Sequence, residues 1–144
     1  MPRMAEIVRL KSVEQSAAKE IDALLKQLDK GKSFSLQSLE ALVQSPSSEL
    51  WVAKEGNAIV GMATLNFLQR VMGLVGYVDD VVVDAQHRGK GFGTKLLEAV
   101  IESARARGAG ELALTSRPSR EEANKLYQKL GFKLKETNSY RMKL

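Results

Sequence analysis

Seven residues, Arg88-Gly89-Lys90-Gly91-Phe92-Gly93-Thr94, separate a strand-like run, Tyr77-Val78-Asp79-Asp80-Val81-Val82-Val83, from a helical pattern that opens at Lys95-Leu96-Leu97-Glu98-Ala99-Val100-Ile101 and continues to Arg107. Glu111-Leu112-Ala113-Leu114-Thr115 then reads as another strand, parallel to the first because a helix connects them. The chain is thereby committed to an α/β arrangement. Glycines at alternate positions of the turn leave backbone amides uncovered. A helix N-terminus has unsatisfied N–H groups and a partial positive charge, so a phosphorylated ligand is expected there, with a ligand-free tight turn as the plain alternative.

Two familiar phosphate loops do not fit. A P-loop needs four residues between its first glycine and a Gly-Lys-Ser/Thr, and the dinucleotide fingerprint needs two residues between its second and third glycines, where this chain has only Phe92. What does fit is Arg-x-x-Gly-x-Gly, written as Arg88, Gly91 and Gly93, which resembles the acyl-CoA loop of the GCN5-related N-acetyltransferase (GNAT) family. Downstream, Ala123-Asn124-Lys125-Leu126-Tyr127-Gln128-Lys129-Leu130-Gly131-Phe132 resembles that family's second signature, a helix carrying a tyrosine and ending in Leu-Gly-Phe. The order of predicted elements matches the family along essentially the whole chain, with the N-terminal third the least diagnostic. The resemblance implies a single GNAT domain over residues 1–144, a mixed central sheet with splayed parallel fourth and fifth strands flanked by helices.

Composition agrees. At 144 residues and 44% hydrophobic, the chain has the size and apolar content of one domain. Cysteine is absent, which excludes disulfides, thiolate metal sites and a cysteine nucleophile. The single histidine, His87, cannot build a multi-histidine metal centre, so no metal is expected. With no long apolar stretch and no secretory pattern at its start, a cytoplasmic protein without a membrane partner is expected. The net charge of +5 is dispersed among acidic neighbours rather than gathered into a basic tail, which speaks against a nucleic-acid partner.

The remaining pattern reads as a strand over 5–11, helices over 13–28 and 35–44, a hairpin of 50–54 with 59–65 turning at Glu55-Gly56-Asn57, and bounds of Gly91 to Arg107 for the helix that leaves the glycine turn. A loop is expected around Arg70 to Gly73. Ser119 is expected to cap the last helix, with Glu122 completing a capping box, and two short strands, 132–136 and 139–143, are expected to close the chain.

The resemblance implies roles for residues. Pantetheine would enter between the splayed strands and pair with the backbone of Val81, Val82 and Val83. The pyrophosphate would lie on amides from Arg88, Gly89, Lys90, Gly91, Phe92, Gly93 and Thr94, and Asn124 would bond the pantetheine amide. Many family members carry that asparagine one turn earlier, where this chain has Arg120, a candidate for cofactor phosphate or acceptor. Tyr127 would protonate or hydrogen-bond the departing coenzyme A thiolate, and Asp79 would accept the amine proton, through water given its short side chain. Strand alternation places Asp79 and Asp80 on opposite faces, with only one facing the acceptor.

The function so implied is acetyl transfer from acetyl-CoA to a primary amine of a small-molecule acceptor, by direct attack in a ternary complex. A protein lysine or N-terminal acetyltransferase and a noncatalytic acyl-CoA-binding module stay open, as does a homodimer. Thr115 to Arg120 and Arg141 supply anion-binding groups for an acidic acceptor, though capping and solvation explain them too. Phe34, Phe67 and Tyr140 are candidate pocket walls or core.

Overall fold

The structure is a computed structural model that describes residues 5–31 and 33–144. Its elements are β1 (Ala5–Leu10), α1 (Gln15–Leu28), α2 (Leu36–Gln44), β2 (Ser48–Glu55), β3 (Ala58–Arg70), β4 (Gly73–Val83), a 3-10 turn (Ala85–His87), α3 (Phe92–Ala106), β5 (Glu111–Leu114) and α4 (Glu121–Lys129). The five strands form one sheet in the order β1-β2-β3-β4-β5. All neighbours are antiparallel except β4 and β5, which α3 connects as a crossover and which run parallel.

Strand alternation loads both faces of the sheet. Met62 packs with Ile21 and Leu24 of α1, Leu39 and Val43 of α2, and Leu50, Val52 and Val82. Its neighbours Ala63 and Leu65 pack instead with Val78, Leu97 and Val100 of α3, and Tyr127 of α4. Helices therefore cover opposite faces of β3, as the two-residue period of a strand requires. Among the described residues no helix is long and apolar enough to cross a membrane.

One buried carboxylate ties the sheet to the far end of α3. Glu49 is 1% exposed and accepts hydrogen bonds from Trp51 Nε1 at 2.9 Å, Ser103 Oγ at 2.6 Å and Arg107 Nη1 at 3.0 Å, with the Arg9 guanidinium 3.6 Å away. Burial pushes its pKa up. The hydrogen bonds and the Arg9 charge more than offset this and leave it below the ordinary carboxyl value.

Three expectations change. The segment near Arg70 to Gly73 is a tight hairpin with only Val71 and Met72 between the strands, both fully in solvent. The last helix starts at Glu121 with Arg120 at its N-cap, and no side chain caps it, so the Ser119 capping box does not form. Pro118 holds a turn closed by the Arg120 amide donating to the Arg117 carbonyl at 3.0 Å, which places Ser119 inside the turn. Finally, residues 131–144 contain no strand, and Leu134 and Met142 lie in solvent. Their alternating pattern is what a strand needs on its faces, but a strand also needs a backbone ladder, which propensity cannot supply.

Candidate active site

The glycine-rich turn delivers α3 with its first amides open. Gly91 is the N-cap, in the left-handed region at φ +85°, where only glycine sits without strain; it offers no capping side chain, and the first turn of α3 has no acidic residue. Gly89 has φ +80°. Gly93 has a different reason to be glycine. A Cβ there would lie 3.2 Å from Leu126 Cδ2, so its absence lets α3 approach α4. Phe92 is buried with Leu96 and anchors the turn.

Polar contacts brace the loop from outside. Arg88 Nε donates to the Val83 carbonyl at 3.1 Å, and Lys90 lies 3.7 Å from Glu55. Gln27 Nε2 donates to Asp84 at 2.7 Å, and Asp84 contacts His87 Nδ1 at 2.7 Å; these two contacts hold the Asp84 carboxyl below its ordinary value. His87 is thereby a loop brace.

β4 changes character at Asp80. Met62 pairs with Val82 and Thr64 pairs with Asp79, so two β4 residues, Asp80 and Val81, face one on β3. Asp80 takes up the extra length at φ +55°, the one non-glycine positive φ among the described residues. Its carboxylate and the Asp79 carbonyl each lie 3.0 Å from Thr64 Oγ1, a hydroxyl with one proton to share between them. The parallel ladder to β5 ends just before, at Val78 and Leu114. Beyond that point Val81 to Val83 have lost β5 as a neighbour, and Arg120 Nη2 donates to the Val81 carbonyl at 3.2 Å.

A cavity of about 610 Å³ opens where the ladder stops. Asp79, Asp80 and Val81 line it from β4, Leu114 to Arg117 from the end of β5, Arg120 and Tyr127 from α4 and its cap, and Leu28, Asp29 and Phe34 from the α1–α2 side. Both aspartates line it, contrary to strict alternation, because the bulge turns Asp80 out of phase. Asn66 Nδ2 lies 3.4 Å from the Asp79 carboxylate. Tyr127 is 4% exposed and packs edge-on against Phe132 at 6.1 Å. Burial raises its pKa, partly offset by the Arg120 charge and hydrogen bond, so at neutral pH it is a phenol with a proton to give.

Asp79, Val81 and Tyr127 thus share one cavity, while the loop residues 88–94 are outside its lining. Asn124 is also outside, its Nδ2 donating to the Arg117 carbonyl at 3.0 Å. Phe34 is a wall, whereas Phe67 lies under the Arg107 guanidinium at 4.1 Å and Tyr140 is 89% exposed. Sequence reading missed Thr64 and Asn66 as partners of the aspartates. Two polar residues on one face of the otherwise apolar run from Ala58 to Leu68 are the signal that marks them.

A sequence model described as the acetyltransferase (GNAT) family matches residues 16–132. Glucosamine 6-phosphate N-acetyltransferase 1 of Oryza sativa subsp. japonica is 41% identical over 66 residues, covering 46% of this chain and 38% of that protein. An uncharacterized N-acetyltransferase of Bacillus subtilis, YhdJ, is 38% identical over 101 residues, 67% of this chain and 70% of that one. Among solved structures, an aminoglycoside N-acetyltransferase, AAC(6')-Iy, in complex with CoA superposes with a TM-score of 0.85 at 20% identity, covering 99% of this chain and 97% of that one, a likeness of fold.

Proposed function

The chain belongs to the GNAT acetyltransferase family, and from that premise we propose that it transfers an acetyl group from acetyl-CoA to a primary amine of a small-molecule acceptor, by direct attack in a ternary complex. The observation that carries this reading is that Asp79 and Tyr127 line one cavity at the point where β5 leaves β4. A proton acceptor and a proton donor are then available on either side of a thioester brought between the strands.

The residues present fit that substrate. The bare amides at the start of α3 suit a pyrophosphate, and Gly91 permits its approach. The β4 backbone beyond Val78 has an unladdered edge for an extended pantetheine chain, once Arg120 releases the Val81 carbonyl. Asp79 takes a proton from the ammonium, directly or through water. The freed amine attacks the thioester carbonyl, the N–C bond forms as the C–S bond breaks, and Tyr127 gives its proton to the departing sulfur. The new amide nitrogen sheds its second proton to solvent, and the proton held by Asp79 returns the phenolate to phenol, so the net products are an amide, coenzyme A and one proton.

We read residues 1–144 as one catalytic domain of a cytoplasmic enzyme. A cavity of about 610 Å³ is within the range of small-molecule sites. The reading is tested by free-thiol release from acetyl-CoA over a panel of amines, with acetyl-CoA binding followed by calorimetry. Turnover is expected for one acceptor class, and Gly91→Val is expected to weaken acetyl-CoA binding about tenfold by straining the left-handed position. Wild-type protein that does not bind acetyl-CoA overturns the reading.

A further inference from the structure

The cavity is lined by groups of both charges. Asn66 Nδ2 lies 3.4 Å from the Asp79 carboxylate, and Thr64 Oγ1 lies 3.0 Å from that of Asp80. Ser116 and Arg117 at the end of β5 and Arg141 from the last residues of the chain line the same cavity. Asp29 already pairs with Arg117 at 3.6 Å. Arg141 has no hydrogen bond or ion pair among the described residues, and the buried Ser116 hydroxyl has no partner among them either. A buried hydroxyl without a partner is a destabilising feature in an empty cavity and a useful donor in a filled one.

The terminal segment adds a second observation. Arg141 is exposed and also lines the cavity, so its guanidinium stays hydrated and open to an anion that enters there.

Resting on the acetyltransferase reading above, we propose that the natural acceptor is zwitterionic: a primary amine that also carries an anionic oxygen group, phosphate or carboxylate. The ammonium is received at Asp79, and the anion is received by Arg141 and Arg117 with the Ser116 hydroxyl donating to it. Guanidinium recognition of such groups is directional and charge-assisted. Acetylation removes the ammonium charge and leaves the anion, so the product loses its hold on Asp79 while the anion keeps its partners. Polycationic amines, which bring a second ammonium against the arginines, are poor acceptors.

The test compares matched amines, one neutral, one phosphorylated, one carboxylated and one polycationic, by kcat/KM in thiol release. At least one anionic member is expected to exceed its neutral match about tenfold or more, and the better of the two names the anion. Arg141→Glu is expected to abolish that preference and Ser116→Ala to reduce it, each through the acceptor KM with the acetyl-CoA KM unchanged. Turnover with no preference for anionic members, or with a polycation preferred, overturns the acceptor class and leaves the acetyltransferase reading standing. A rise in the acetyl-CoA KM alone in Arg141→Glu also overturns it, assigning that arginine to the cofactor phosphates. Absence of acetyl-CoA binding in the wild type removes both.

Discussion

Helices α3 and α4 pack into one buried cluster with Val78 of β4, and they begin in opposite ways. The first turn of α3 has a glycine cap and no acidic residue, so the positive end of its dipole is left for something outside the chain. The first turn of α4 holds Glu121 and Glu122, so its dipole is matched by its own carboxylates. What α4 brings to the site is a side chain from its interior, Tyr127. The contrast divides the labour of the proposed enzyme: one helix start for binding, one helix body for chemistry.

The sharpest way to break that division is at Tyr127. Tyr127→Phe is expected to lower kcat about 100-fold while leaving acetyl-CoA affinity unchanged, as steady-state kinetics and calorimetry would read. A parallel loss of affinity would mean that α4 also binds the cofactor.

Next comes the far end of α3, which must be still if its start is to hold a ligand. Glu49→Gln is expected to cost about 2 kcal/mol of stability in urea at pH 7, since Ser103, Arg107 and Arg9 lose a charged partner. Because the folded-state pKa of Glu49 is lowered, its contribution is present above its ordinary value of 4.5 and is lost as pH falls through the folded value. The variant should therefore show a flatter fall of stability in acid than the wild type. An unchanged acid limb would show that Glu49 is not the group that titrates.

The smaller effects compare the two helix starts directly. Thr94→Glu gives α3 the carboxylate that α4 already has, and should weaken acetyl-CoA about tenfold by occupying the anion site from within. Glu121→Gln and Glu122→Gln should each cost only about 0.5 kcal/mol of stability and leave acetyl-CoA affinity alone. Equal effects on binding at both helices would erase the distinction.

What could be read from the sequence follows the same division. The glycine turn, the apolar period of α3 and the parallel β5 are local patterns, and the structure has each within a residue or so of the expected bounds. The family, too, was legible from Arg88, Gly91 and Gly93 with the Leu130-Gly131-Phe132 ending. Features made by residues far apart were not. Glu49 meets Ser103 and Arg107 across more than fifty positions, and nothing local marks a carboxylate in an apolar strand as fully buried. Arg141 reaches a cavity whose other walls include residues of β4 and α1, far away in sequence. Ser119 failed as a cap for a nearer reason, since Pro118 bends the chain before the helix can start. The two aspartates on opposite faces followed correctly from a regular strand, and β4 is not regular at Asp80.

That irregularity has a consequence for how the chain tolerates change. The sheet counts residues, and at Asp80 the count is deliberately off by one. Substituting Asp80 would alter one side chain, whereas deleting it would leave Val82 opposite Met62 and Val83 opposite Gly61 and make the ladder regular, with Val81 opposite Ala63. The extra residue is thus confined in its effect: it re-aims the backbone at Asp80 and Val81 while the strand end that carries the Arg88–Thr94 turn keeps its phase with β3. A one-residue deletion there would erase the bulge and spare the cofactor turn.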